Sequence, residues 1–190
     1  MFKTRLSLTP FSGGVIQNYK MAAFYFHLSS EQGNRHAKTN LGWLYERGYG
    51  VSVDYPQALY LYTEAADDWK DFETGKMMPG HSMAQNNLGC LYRDGKGTKP
   101  DPLTAVKWFR KAANQGNADS QSNLGAMYLT GSGVPQDFEL SYIWLSVAAA
   151  NGAKFALETR NIVVMNLTKD QLKKAETIFK RCRKKPTYCP

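Results

Sequence analysis

From residue 37 the apolar and small positions Ala37, Leu41, Leu44, Tyr45 and Gly48 recur three or four apart, which places them on one face of an α-helix. His36, Thr39, Trp43 and Glu46 fall on the opposite arc, flanked by Asn40 and Arg47. The chain then rewrites the pattern: "NLGWLYERGYG" at 40–50 returns as "NLGCLYRDGKG" at 87–97 and "NLGAMYLTGSG" at 123–133. Gly48, Gly95 and Gly131 suit the left-handed residue that ends a helix. A second helix follows each time. Its N-cap column is Asn18, Asp54, Asp101 and Asp137, residues whose side-chain oxygen satisfies an orphan N–H. Pro102 and Pro56 stand in its first turn, where a missing N–H is harmless. These second helices stop at Gly33, Gly116 and Gly152; the matching position in the 41–69 unit is Trp69.

Leu88 and Leu124 are 36 residues apart, whereas Leu41 and Leu88 are 47 apart. The pattern is therefore a 36-residue module of two helices, with an 11-residue insertion inside "DDWKDFETGKMMPGHS". Gly42, Gly89 and Gly125 sit inside helices, where each costs about 0.8–1.0 kcal/mol relative to Ala. Close approach of neighbouring helices compensates, with the small columns Ala58/Ala105/Ser141 and Ala65/Ala112/Ala148 as the expected contacts. Tyr25, Phe26, Tyr62, Trp108, Phe109 and Trp144 are expected to fill the remaining space.

After Gly152 the motif fails, with Arg160 and Asn161 where Leu and Gly would stand. "LTKDQLKKAETIFKRC" then opens with Thr168 and Gln171, a capping box, and carries the apolar stripe Leu172, Ala175, Phe179, Cys182. Apolar inward and charged outward is the design of a terminal cap. The expected organisation is one domain over 1–190: a degraded repeat at 1–35, repeats at 36–69, 83–118 and 119–153, the insertion at 70–82, and a capping segment with a basic tail at 154–190. About eight to ten short antiparallel helices and no sheet are expected.

Hydrophobic content of 43% and charged content of 21% mark a globular chain. No run of apolar residues is long enough to span a bilayer, and "MFKTRLSLTPFSGG" is a poor signal peptide. A cytoplasmic protein is expected, or a periplasmic or secreted one should a leader precede it. The net charge of +8 is uneven. Residues 169–190 hold eight basic groups against Asp170 and Glu176, so the body is nearly neutral and offers no basic stripe to nucleic acid. The tail is either a solvated helix face or a surface anchor for an anionic partner. Cys90, Cys182 and Cys189 show no metal-ligand spacing, and His27, His36 and His81 are scattered, so no metal or cofactor is expected. Cys182 and Cys189 are expected as free thiols, the alternative being a small ring.

The thrice-written Leu-Gly-x-x-Tyr-x-x-Gly-x-Gly, followed by "AVKWFRKAANQGNA" at 105–118, resembles the Sel-1-like repeat family, relatives of the tetratricopeptide repeats. "SYIWLSVAAANGA" and "LTKDQ" resemble the end of a bacterial member. The resemblance covers roughly residues 12–160. It implies an all-α fold, a right-handed α/α solenoid of stacked two-helix repeats with a C-terminal capping helix. It also implies a scaffold or adaptor that binds a protein or peptide. The ruined first motif (Arg5, Leu6, Thr9, Ser12) and the insertion depart from the family pattern.

Two function classes follow. A scaffold would bind in the groove of its first helices. The candidate binding residues are Asn40, Trp43, Arg47, Asn87, Arg93 and Asn123. Asn40, Asn87 and Asn123 form an identical column; each amide either pairs with a partner's backbone or ties neighbouring helices together. Partner specificity would then lie in Trp43/Cys90/Ala126 and Glu46/Arg93/Leu129. The rival class is an enzyme, since a cysteine-rich branch of the family carries a penicillin-binding or β-lactamase label. S-x-x-K, S-D-N and K-T-G are all missing, "KTN" at 38–40 being nearest, and the branch's paired cysteines are absent. "RDGKGTK" at 93–99 lacks the phosphate-loop pattern. We therefore expect no catalysis and a monomer. The insertion holds Trp69, Phe72, Met77 and Met78. Either the helix runs on past Trp69 and tucks them away, or they form an exposed partner-binding knob.

Overall fold

The computed structural model describes residues 18–71, 73–183 and 189–190. The degraded motif at Arg5, Leu6, Thr9 and Ser12, together with Phe72, Lys184 and Lys185, lies outside the described residues. The described chain forms α1 (Tyr19–Glu31), α2 (Arg35–Arg47), α3 (Tyr55–Ala66), β1 (Trp69–Lys70), β2 (Met77–Met78), α4 (Ser82–Asp94), α5 (Pro102–Asn114), α6 (Ala118–Thr130), α7 (Phe138–Ala150), α8 (Ala156–Val164) and α9 (Lys169–Cys182). Helices α2/α3, α4/α5 and α6/α7 pack as pairs, and each pair stacks on the next to make a solenoid. Asn18, Asp54, Asp101 and Asp137 cap the second helices by accepting the N–H of Met21, Gln57, Thr104 and Leu140. A second capping column was not foreseen: Asn34 and Asn117 cap α2 and α6, and His81 holds the same place on α4 without a side-chain bond.

The helix-interior glycines are contact points, but not with the columns expected. A Cβ at Gly42 would stand 2.8 Å from the Tyr62 ring, at Gly89 2.6 Å from the Phe109 ring, and at Gly125 2.7 Å from Leu145 Cγ. A large side chain fills each notch, rather than an alanine facing it. The small column still matters at Ser141, whose hydroxyl donates to the Gly125 carbonyl at 2.8 Å. Gly125→Leu is therefore expected to destabilise more than Gly125→Ala, overpacking costing typically about 1–3 kcal/mol. Equal melting temperatures would show that Leu145 yields freely.

One apolar cluster forms at each junction, from Phe26, Leu41 and Leu44 near the N-terminal end to Ile143, Leu145 and Val163 near the C-terminal end. Phe26, Tyr62, Phe109 and Trp144 are buried as expected, but Tyr25 is 51% exposed. The cap follows its sequence signature. Thr168 and Gln171 form the capping box, Ala175 and Cys182 are buried, and Lys174 reaches Glu139 at 2.8 Å. Two expectations need correction. The chain contains a sheet, a two-residue antiparallel hairpin pairing Trp69 with Met78 and Lys70 with Met77. Cys182 and Cys189 are joined rather than free: Cys189 packs on the α7 cluster to which the buried Cys182 belongs.

Candidate partner-binding groove

The faces of α2, α4 and α6 opposite their buried stripes carry the six candidate residues. At the α2 end the groove is open. Trp43 is half-buried, its ring 5.1 Å from Tyr49, which stacks at 4.7 Å on Tyr19. Arg47 is exposed in the last turn of α2. Asn40 is half-buried, and among the described residues its amide meets no side-chain or backbone partner.

The middle of the groove is internally bonded. The buried Tyr62 hydroxyl donates to Glu46 at 3.0 Å and also meets Asn87. Burial, then the Glu46 charge, pushes the phenol pKa far up, so Tyr62 stays a donor. Asn86 donates to Asn87 at 3.3 Å and accepts from Ser120 at 2.9 Å and Asn123 at 3.1 Å. Arg93 clasps its neighbour Asp94 through two nitrogens, at 2.7 and 3.3 Å, and donates to Asn123 at 3.2 Å. The Arg93 hydrogen bond holds the Asp94 carboxyl below its ordinary range. Arg93 and Asn123 thus meet directly and Asn87 joins them through Asn86, while Asn40, Trp43 and Arg47 stand apart on α2. Glu46, Tyr62 and Asn86 complete a ladder from α2 to α6. Tyr62 and Asn86 were not singled out for it, because neither belongs to the repeated columns.

The insertion builds a second concavity. Helix α3 ends at Ala66 rather than running past Trp69, because its last carbonyls are claimed from outside. Arg35 donates to Glu64, Ala65 and Asp67, Gln85 to Ala66, and the His81 N–H to Ala65. Asp68 then fastens the hairpin to Gly80 N–H at 3.1 Å and to Lys111 at 3.1 Å. Trp69 lies half-buried 5.5 Å from the Arg35 guanidinium, whereas Met77 is 66% exposed. The expected extension of the helix past Trp69 does not occur: the hairpin leaves the tryptophan half-buried and the methionines facing solvent. Trp69, Arg35, Pro79, His36 and His81 line a cavity of about 540 Å³.

Two of the three histidines meet, while His27 stays apart on α1 beside Glu31. The His36 and His81 rings lie 4.2 Å apart, edge to face. Thr39 donates to the Arg35 carbonyl, so its oxygen accepts from His81 Nδ1 at 2.8 Å. Burial, then the His36 charge, lowers the His81 pKa from 6.5 to about 4. The folded form thus binds this proton more weakly than the unfolded chain. His81 contributes stability above pH 6.5 that is lost as pH falls toward 4. Solvent screening at this part-exposed ring limits the effect to about 1–2 kcal/mol. In His81→Asn, the slope of melting temperature between pH 6.5 and 4 should flatten; an unchanged slope would assign it elsewhere.

A Sel1 repeat family model matches residues 5–34, 35–68, 82–117 and 118–152. The chain belongs to the Sel1 repeat family. Its hairpin falls in the gap between the second and third Sel1 matches. A Sel1 repeat protein from Oxalobacter formigenes is 30% identical, with a TM-score of 0.63, over 76% of this chain and 55% of its own. A protective antigen of uropathogenic Escherichia coli strains displaying an SLR fold is 32% identical, with a TM-score of 0.56, over 88% of this chain and 41% of its own. The chain thus spans about half the length of these solved relatives. No curated protein matches it. Sel1 repeat proteins are generally non-catalytic scaffolds for protein interaction. Among the described residues no helix is long and apolar enough to cross a membrane.

Proposed function

We propose that the chain is a non-catalytic scaffold whose α2–α4–α6 groove holds an extended segment of a partner protein. One observation supports this above the others: among the described residues the Asn column is satisfied by the protein itself at Asn87 and Asn123 but not at Asn40. A half-buried amide beside Trp43 and Tyr49 offers a donor and an acceptor to a peptide backbone, with aromatic faces for its side chains. Arg47 adds a positive charge to the same end. Asn87 and Asn123 act instead as ties between repeats, and Arg93 braces them.

The test is affinity capture with the wild type, the groove variant Asn40→Ala/Arg47→Glu and the back-face variant Lys107→Glu. Both Arg47 and Lys107 are exposed, so all three proteins should melt alike. At least one captured protein should fall by tenfold or more in the groove variant alone. Equal capture by all three would exclude the groove. For the β-lactamase-type alternative we expect no nitrocefin turnover. Burial pushes the Cys90 thiol up to about 11, which makes it a poor nucleophile at neutral pH.

A further inference from the structure

Each complete repeat is closed by a helix laid on the glycine face of the helix before it: α3 over Gly42, α5 over Gly89, α7 over Gly125. Helix α8 is the next first helix in register. Thirty-six residues beyond Gln121, Gly125 and Leu129 stand Leu157, Asn161 and Met165. Helix α9 follows it and should close this fifth unit, but α9 lies mainly on α7. The cause is steric. At each glycine the closing helix comes within 3 Å of where a Cβ would stand, and Asn161 fills that space. The face that is shut in α4 and α6, where Gln85 and Gln121 are fully buried, is therefore open in α8. On this face Leu157 is 50% exposed and Met165, whose counterpart Leu129 packs on the α7 cluster, is 86% exposed; Ile162, 58% exposed, flanks it on the groove side.

We propose that this face docks an amphipathic helix of a partner protein, seated where the closing helix of a fifth repeat would lie. Three covered copies of the same face show what covers it: a helix of 12 or 13 residues with an apolar stripe. The surrounding charge selects its flanks. Along α8 and its approach Lys154 and Arg160 outnumber Glu158, so the complementary helix carries acidic residues beside its stripe. Its residue over Asn161 is small, because the space a large one needs is taken. The inference does not depend on the groove being used.

The probes are two labelled 15-residue peptides read by fluorescence anisotropy against the full chain. One is residues 101–115 with Phe109→Ala, a basic closing helix with a small residue over the glycine column; the other is the same peptide with K107E/R110E/K111E. The protein variant is Leu157→Glu/Met165→Glu, two positions at least half exposed, whose melting temperature should match the wild type. The acidic peptide should bind the wild type at least tenfold tighter than the basic one and lose at least tenfold in the variant. Asn40→Ala/Arg47→Glu should bind it as the wild type does, so failure of the groove reading would leave this result standing. Absence of saturable peptide binding, or equal binding to wild type and Leu157→Glu/Met165→Glu, overturns the proposal. So does sedimentation with phosphatidylglycerol vesicles without peptide binding, or self-association that the double substitution abolishes; either gives the face to another occupant.

Discussion

Gly133→Ala should lower the melting temperature by roughly 5–15 °C, whereas Gly152→Ala should lower it by roughly 2–4 °C. Both glycines have positive φ, 71° and 86°, so both pay about 1 kcal/mol for a methyl group in the left-handed region. They differ in what the methyl meets. At Gly152 nothing lies within 4 Å. At Gly133 a Cβ would stand 2.3 Å from the Pro102 carbonyl oxygen and 2.5 Å from its carbon. Those atoms are backbone at the start of α5 and cannot rotate aside, which adds about 1–3 kcal/mol or more. The same contact recurs at Gly97 against Tyr55 and at Gly50 against Tyr19. It joins the turn of one repeat to the second helix of the repeat before, so the last glycine of the motif sets the stacking. Equal losses at Gly133 and Gly152 would show that the turns do not carry it.

Deleting residues 168–190 should produce aggregation or dimerisation of an otherwise helical protein. Every residue from Ser141 to Ala148 of α7 is buried, because α6, α8 and α9 each cover part of it. Removing α9 takes Ala175 and Cys182 out of that cluster, along with the half-buried Leu172, Ile178 and Phe179 packed on it. Terminal caps with a polar outer face keep solenoids soluble. Sedimentation would read the outcome directly; a monomeric truncation with full helicity would reduce α9 to an appendage.

The repeat made much of the fold legible. Leu41, Leu88 and Leu124 fix the period, and the Asn18, Asp54, Asp101 and Asp137 column fixes where second helices begin, because both are local signals written several times. The hairpin was not legible. Helix α3 stops because Arg35, Gln85 and His81 take its last carbonyls, and no local signal at Ala66 announces bonds to residues 16 to 30 positions away. The meeting of His36 and His81 was hidden for the same reason, since the insertion shifts His81 out of the period. In the groove, the identical Asn column was visible, but its division into Asn40 and the tied pair Asn87 and Asn123 depends on Asn86, Tyr62 and Arg93, whose reach across repeats only packing decides. The open face of α8 had one written sign, Asn161 in place of glycine, which marks the failed motif but not the swing of α9.

Amide hydrogen exchange on the full chain, with and without a partner captured in a groove-dependent way, tests the central reading most directly. The scaffold account predicts added protection in α2, α4 and α6, strongest near Asn40, Trp43 and Arg47, with α3 and α5 unchanged. Protection confined to the hairpin around Met77 and Met78, or to the outer faces of α3 and α5, would contradict it.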